Sequence, residues 1–123
     1  MSEDINQFDN AKYLNLETYK KNGKSVATPV WFVIENDIFF VLTRAGTGKV
    51  KRLRNNSNVR ISPCNFRGQL KGKWVIGIAS LKDPDEYSQI INSRNKKYGI
   101  QSKLASLLTF RKGKFIIISI KIT

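Results

Sequence analysis

The sequence contains no histidine, and Cys64 is its only cysteine. The absence of histidine excludes the Ser-His and Cys-His pairs that many enzymes use to activate a nucleophile. A single cysteine cannot form an internal disulfide, and it lacks the soft partner ligands that a structural zinc site needs. Because few side chains remain for acid, base or redox work, redox chemistry would need a cofactor to supply the reactive group.

Long apolar segments are also absent. The longest apolar runs cover residues 30–34, 38–42 and 115–118, and all are far shorter than the ~20 residues of a membrane-spanning helix. Residues 1–10 are polar and acidic, without the basic start and apolar stretch of a secretory signal. The 123 residues suit one domain, and no repeat or linker divides them. We therefore expect a single cytoplasmic domain over residues 1–123, with no membrane association.

Acidic residues are scarce, since 9 Asp and Glu face 22 Lys and Arg and give a net charge of +13. No acid lies between Asp37 and Asp83, although this stretch contains ten basic residues. These are Arg44, Lys49, Lys51, Arg52, Arg54, Arg60, Arg67, Lys71, Lys73 and Lys82. A field of one sign concentrates ions of the opposite sign. The charge thus predicts an anionic partner, either a phosphorylated or carboxylated small molecule or nucleic acid.

Periodicity predicts six strands, over residues 12–19, 25–34, 38–43, 59–64, 74–81 and 115–122. Asn22-Gly23 is a strong hairpin signal between the first two strands. Pro29 cannot donate to a ladder, so the second strand should be an edge strand or be bulged there. The third strand is continuously apolar and should be buried on both faces. Six mostly hairpin-linked strands with few helices indicate a mainly β, antiparallel barrel.

A glycine-containing loop over residues 44–49 leads into a predicted helix over residues 48–55, with Thr47 in position to cap it. Free N–H groups and the positive end of the helix dipole would point at one place there, which is what a phosphate group needs. Asp83-Pro84-Asp85-Glu86 is a second helix start, with an Asp cap and Pro at the first helical position. A further short helix is predicted over residues 100–108.

Several fragments together resemble a known family. They are VATPVWF at residues 26–32, VLT at 41–43, TGKVKRLRNN at 47–56, VRISPC at 59–64 and KYG at 97–99. In this order they resemble the split β-barrel proteins related to pyridoxamine-phosphate oxidase, and within them the small F-420-dependent oxidoreductase branch. The resemblance covers about residues 13–120, and its specificity lies in the ordered set rather than in any one fragment.

The resemblance implies a six-stranded antiparallel split β-barrel of the Greek-key, FMN-binding type, and a homodimer with cofactor at the subunit interface. It implies FMN or the deazaflavin F-420 as cofactor, and no catalytic side chain. The residues that would hold the cofactor phosphate are Thr43, Arg44, Thr47, Gly48, Lys49 and Lys51. The residues whose backbone would support the ring are Ala27, Thr28, Pro29, Val30 and Trp31.

The implied activity is hydride transfer between bound FMN or F-420 and an unknown small substrate. The basic surplus from Arg52 to Lys73 favours F-420, because its tail carries several carboxylates. Two alternatives stay open, namely a non-catalytic flavin or deazaflavin carrier and a basic β-barrel that binds nucleic acid. The aromatic residues on the apolar strands argue against the last alternative, since they fit a core better than a stacking surface.

Overall fold

The computed structural model describes residues 2–99 and 115–123, and its main feature is one antiparallel sheet of seven strands. The strands are β1 Tyr13–Tyr19, β2 Ser25–Val30, β3 Val33–Glu35, β4 Ile38–Arg44, β5 Asn58–Cys64, β6 Val75–Lys82 and β7 Phe115–Ile122. The α-helices are α1 Ser2–Asn6, α2 Gly48–Asn55 and α3 Ser88–Tyr98. The sheet order is β2-β1-β5-β6-β7-β4-β3, which confirms the mainly β, antiparallel prediction.

The sheet curls around its main core. Leu14 and Leu16 on β1 belong to the same buried cluster as Phe39 and Val41 on β4, although three strands separate β1 from β4 in the sheet. Such a shared cluster requires the two halves of the sheet to face each other, as in a barrel. Phe8, which follows α1, packs edge-on against Phe39 at a centroid distance of 4.8 Å and helps to close this core.

The strand predicted to be buried on both faces is β4, and the structure confirms the prediction. Phe39 and Val41 face the main core, whereas Phe40 faces a second cluster on the other side of the sheet. That second cluster includes Ile90 and Ile91 of α3. The helix therefore covers the outer side of β4, and the continuous apolar run reflects two different partners.

The long strand predicted over residues 25–34 is wrong, because the chain leaves the strand after Val30 and resumes at Val33. This break raises the strand number from six to seven. The Tyr98 hydroxyl accepts a hydrogen bond from the Phe32 N–H at 2.9 Å, and its oxygen lies 3.0 Å from the Phe32 carbonyl oxygen. A side chain from α3 thus takes up backbone groups that a continuous ladder would have paired.

Two of the predicted helix starts are found, with differences. Helix α2 has the predicted bounds, but Thr47 at its N-cap makes no capping hydrogen bond through its side chain. Asp83 caps as predicted, accepting from the Asp85 N–H at 3.0 Å, yet the helix that it starts is a 3₁₀ turn over Pro84–Glu86. The α-helical part begins only at Ser88. The helix predicted over residues 100–108 lies outside the described residues.

Gly77 on β6 lies close to the backbone of β7. A Cβ at this position would lie 2.9 Å from the Lys121 carbonyl oxygen and 3.0 Å from Cγ2 of Ile120. We therefore expect Gly77→Ala to lower the free energy of unfolding by about 1–3 kcal/mol, because backbone must move to admit the methyl group. Gly46→Ala is the control, since a Cβ built there has no atom of the described residues within 4 Å. Urea unfolding of both variants checks this, and equal stabilities would contradict it.

Candidate functional site

The loop between β4 and α2 presents an uncapped helix N-terminus. The first intrahelical bond runs from the Lys51 N–H to the Thr47 carbonyl at 3.2 Å, so the N–H groups of residues 48–50 have no intrahelical acceptor. No acid occupies the first turn of α2. Oγ1 of Thr47 is buried and has no hydrogen-bond partner among the described residues. Several donors at one place therefore lack an acceptor.

Two cations lie beside this N-terminus. Burial and the nearby charge of Arg52 lower the pKa of Lys49 below its ordinary value. The guanidinium of Arg52 reaches back to Gly48, where a Cβ would lie only 2.8 Å from Nη1. Neither cation forms an ion pair within residues 2–99 and 115–123. An anion bound here would relieve the repulsion between them.

The other predicted phosphate residues are less closely gathered. Thr43 is half-buried on β4 and pairs with Ile116. Arg44 is exposed, and its guanidinium lies over the Phe115 ring at 5.6 Å from the centroid. Lys51 is exposed on α2. The structure thus places all six predicted residues at one strand-to-helix junction, with Thr47, Gly48 and Lys49 at its centre.

Arg52 connects this junction to the sheet, a role that the sequence did not reveal. Its Nε donates to Oγ1 of Thr18 on β1 at 2.6 Å, and Thr18 pairs with Val26 at the start of β2. From Val26 to Val30 the strand extends about 13 Å at the usual rise per residue. The predicted ring-supporting strand therefore begins beside the junction and leads away from it.

Strand β2 is an edge strand, as Pro29 predicted. It pairs only with β1 within the described residues, and Pro29 stands opposite Asn15. Ala27 is exposed, whereas Thr28, Pro29 and Val30 are half-buried. The predicted support is thus an accessible strand edge with one missing N–H, and only Trp31 of the predicted set lies outside the strand.

Both described ring contacts of Trp31 are with residues of α3. Its ring stacks on Tyr98 with centroids 4.2 Å apart and an angle of 4° between the ring planes. The Arg94 guanidinium lies 5.1 Å from the Trp31 ring centroid. The Nε and Nη1 atoms of Arg94 are buried and have no hydrogen-bond partner among the described residues. The sequence signal for these contacts was only the KYG fragment, which marked Tyr98 without assigning it a role.

Residues 1–122 match the family described as pyridoxamine 5'-phosphate oxidase. The chain belongs to the pyridoxamine 5'-phosphate oxidase family. The match covers nearly the whole chain, so it includes the sheet, the β4–α2 junction and the edge strand β2. No curated protein matches the chain in sequence.

Solved structures share the fold of this family member. The haem storage protein HutZ from Vibrio cholerae is 18% identical with a TM-score of 0.74, and the match covers 99% of this chain and 89% of HutZ. Protein Rv2991 from Mycobacterium tuberculosis is 17% identical with a TM-score of 0.77, covering 98% and 79%. An F-420 reductase is 16% identical with a TM-score of 0.70, covering 96% and 91%. At these identities the similarity shows the fold alone.

The junction fits the phosphate group of the cofactors that the fold implies. A phosphate offers several acceptor oxygens and negative charge, and the junction offers uncapped N–H groups, the unpartnered Thr47 hydroxyl, Lys49 and Arg52.

No group of three or more His, Cys, Asp or Glu side chains suited to a metal occurs in the described residues. In the same part of the chain, no helix has the length and hydropathy that a membrane crossing requires.

The ten central basic residues do not form one surface. Arg60 is bound to Glu17 through Nε at 2.6 Å and Nη2 at 3.0 Å, and it also covers the Trp74 ring. This pairing lowers the pKa of the Glu17 carboxyl, although burial acts the other way. Arg67 lies over Phe66, whereas Lys51 and Arg54 are exposed on α2. Only some of the ten basic side chains therefore lie near the junction and could contact an anion there.

Lys97 gives the fold a pH dependence. Burial lowers its pKa from 10.5 to about 8, although the residue as a whole is exposed. Its Nζ lies 3.5 Å from the Phe32 ring centroid and donates to the Phe32 carbonyl at 2.9 Å. Between these two pKa values the unfolded chain binds the proton that the folded chain has released, so this group makes stability rise with pH from about 8 towards 10.5.

We expect Lys97→Met to lack this contribution. Denaturant midpoints of the wild type and the variant are measured from about pH 7 to pH 10, and the wild-type midpoint should rise relative to that of the variant as the pH increases above about 8. Lys96→Met, at an exposed neighbouring position, is the charge-matched control and should keep the wild-type profile. Above about pH 10 Tyr98 makes stability fall with pH. Burial raises its pKa to about 12, so the folded chain keeps a proton that the unfolded chain has released. Parallel profiles for wild type and Lys97→Met would contradict the assignment.

Proposed function

We propose that this chain is an oxidoreductase that binds FMN or the deazaflavin F-420 and supports hydride transfer to a small substrate. The observation that carries the proposal is the β4–α2 junction, where unpartnered donors and the two cations Lys49 and Arg52 meet at one place. Arg52 links this junction to the start of the open edge of β2. A phosphate and a flat ring system could thus be held by adjoining parts of one chain.

In this proposal the protein contributes binding and orientation rather than its own acid or base. When bound, FMN or F-420 supplies the hydride chemistry. The junction residues Thr47, Gly48, Lys49 and Arg52 hold the phosphate, with Thr43, Arg44 and Lys51 at its margin. The backbone of Ala27, Thr28, Pro29 and Val30 supports the ring, with Trp31 fixed beside it by Tyr98.

We further propose that the working unit is a homodimer. Ile76 and Ile78 on the outer face of β6 are 62% and 44% exposed. Ile78 pairs with Asn58 on one side and with Lys121 on the other, so the exposed apolar side chains of β6 have polar neighbours on the face opposite the core. Large exposed apolar side chains grouped in this way are typical of protein interfaces, and a second copy is the occupant that the family implies.

A groove at the far end of α2 bears on the choice between FMN and F-420. Lys20 and Lys21 of the β1–β2 hairpin line a groove with Asn55 and Asn56 at the end of α2, with a volume of about 360 Å³. This groove lies at the opposite end of α2 from the junction. It could receive the carboxylates of an F-420 tail, for which FMN has no counterpart, and so it favours F-420.

Titration of the purified protein with FMN and with F-420, followed by absorbance, tests the proposal. Saturable binding of either supports the site, and tighter binding of F-420 supports the groove as a carboxylate site. Binding of neither contradicts the proposed function. Reduction of the bound cofactor followed by assay of its reoxidation with candidate acceptors separates an oxidoreductase from a carrier, since a carrier would show no acceptor-dependent turnover.

A further inference from the structure

A cleft separate from the β4–α2 junction opens between the N-terminal segment and the connection from β5 to β6. Its volume is about 550 Å³, within the range of sites that take small molecules. One wall is formed by residues around Lys12 and Tyr13, and the opposite wall by residues around Cys64, Phe66 and Lys71. The two walls come from distant parts of the sequence, so no local sequence pattern could predict this cleft.

Specific contacts hold the two walls together. The Gln7 side chain accepts from the Lys73 N–H at 2.9 Å and donates to the Lys73 carbonyl at 3.0 Å. Gly72 makes this approach possible, because a Cβ there would lie 2.5 Å from Oε1 of Gln7 and 2.7 Å from Cγ of Pro63. Tyr13 pairs with Cys64 in the ladder between β1 and β5. The cleft is therefore built into the fold rather than formed by chance between loose loops.

The cleft lies at the far end of β2 from the junction. Leu14, next to Tyr13, pairs with Val30, whereas Thr18 near the junction pairs with Val26. The Tyr98 hydroxyl oxygen lies 2.7 Å from the Lys12 carbonyl oxygen. The cleft thus adjoins the end of the open edge strand, about 13 Å along β2 from the position of the junction.

The lining defines the chemistry of a ligand. Lys12 and Lys71 supply positive charge, and the described residues that line the cleft include no acid. Phe66 is 63% exposed, with the Arg67 guanidinium 5.3 Å from its ring centroid, and Tyr13 adds a second aromatic ring to the lining. Burial raises the pKa of the Cys64 thiol, although the nearby charge of Lys71 acts in the opposite direction. We infer that this cleft binds a small planar carboxylate, with its ring against Phe66 and Tyr13 and its carboxylate between the two lysines.

The inference does not depend on a bound cofactor, so it can be tested on the purified full-length chain. Isothermal titration with 2-naphthoate should show one saturable site. Neutral 2-naphthamide, of the same shape, should bind about tenfold more weakly, and so should 2-naphthoate to Lys71→Gln or Lys12→Gln, as expected for loss of a charge-assisted contact. Lys96→Gln, at an exposed position on α3, is the charge-matched control and should bind like the wild type.

Competition distinguishes this cleft from the junction. Inorganic phosphate, which should occupy the β4–α2 junction, should leave 2-naphthoate binding unchanged. Displacement by phosphate, equal affinity for the acid and the amide, or no saturable binding would each overturn the inference. The cofactor titrations test residues that do not line the cleft, so failure of the cleft and failure of the proposed function give different results. Far-ultraviolet circular dichroism of each variant checks that the fold is retained.

Discussion

Lys49→Met should weaken the binding of FMN or F-420 by about 1.5–3 kcal/mol, which is roughly a tenfold to hundredfold rise in Kd. The reason is that Lys49 is half-buried beside Arg52, and both burial and this like charge lower its pKa. Neither cation has an acidic partner within the described residues. A bound phosphate would supply that partner, and the methionine keeps the aliphatic part of the side chain while removing the charge.

Fluorescence or absorbance titration of the cofactor measures the effect, with Lys96→Met as a control for net charge because Lys96 is exposed on α3. Thr18→Val is a second matched variant, since it removes the acceptor for Nε of Arg52 at 2.6 Å without changing charge. It should cause a smaller loss than Lys49→Met. If Lys96→Met weakened binding as much as Lys49→Met, the general field of the protein would be responsible and not this junction.

The strands could be predicted from the sequence because each follows a simple local rule. Alternation marks β1, and the unbroken apolar run of β4 reflects burial against two clusters. Pro29 identified its strand as an edge strand because a missing N–H excludes it from a central ladder. The division between β2 and β3 could not be predicted, since the group that replaces the ladder there is Tyr98, 66 residues from Phe32.

The candidate site could be predicted in part for the same reason. Residues 43–51 are contiguous, so their grouping at a helix N-terminus follows from local sequence alone. The role of Arg52 could not be read in this way, because its partner Thr18 lies 34 residues away. Arg60 shows the opposite case, since its ion pair with Glu17, 43 residues distant, removes it from the free basic surface that the charge pattern indicated.

Replacing both Ile76 and Ile78 by Lys should convert the proposed homodimer into a monomer. Both side chains are exposed on the outer face of β6, at 62% and 44%, so neither contributes to the described core and the fold should survive the change. In a dimer they would be removed from water, and two lysines from each copy would then be buried against one another. Unpaired buried charges of one sign cost several kcal/mol, which exceeds what a modest interface can offset.

Sedimentation velocity measures this directly, because a dimer of the 14.1 kDa chain separates clearly from the monomer. Two lysines placed at Ser88 and Gln89, exposed positions on α3, provide a control with the same added charge. If the cofactor site lies at the subunit interface, the β6 variant should lose cofactor affinity together with dimerisation, whereas the α3 variant should lose neither. A wild-type monomer that binds cofactor, or a β6 variant that remains dimeric, would contradict the proposed interface, and the first result would also place the whole cofactor site within one chain.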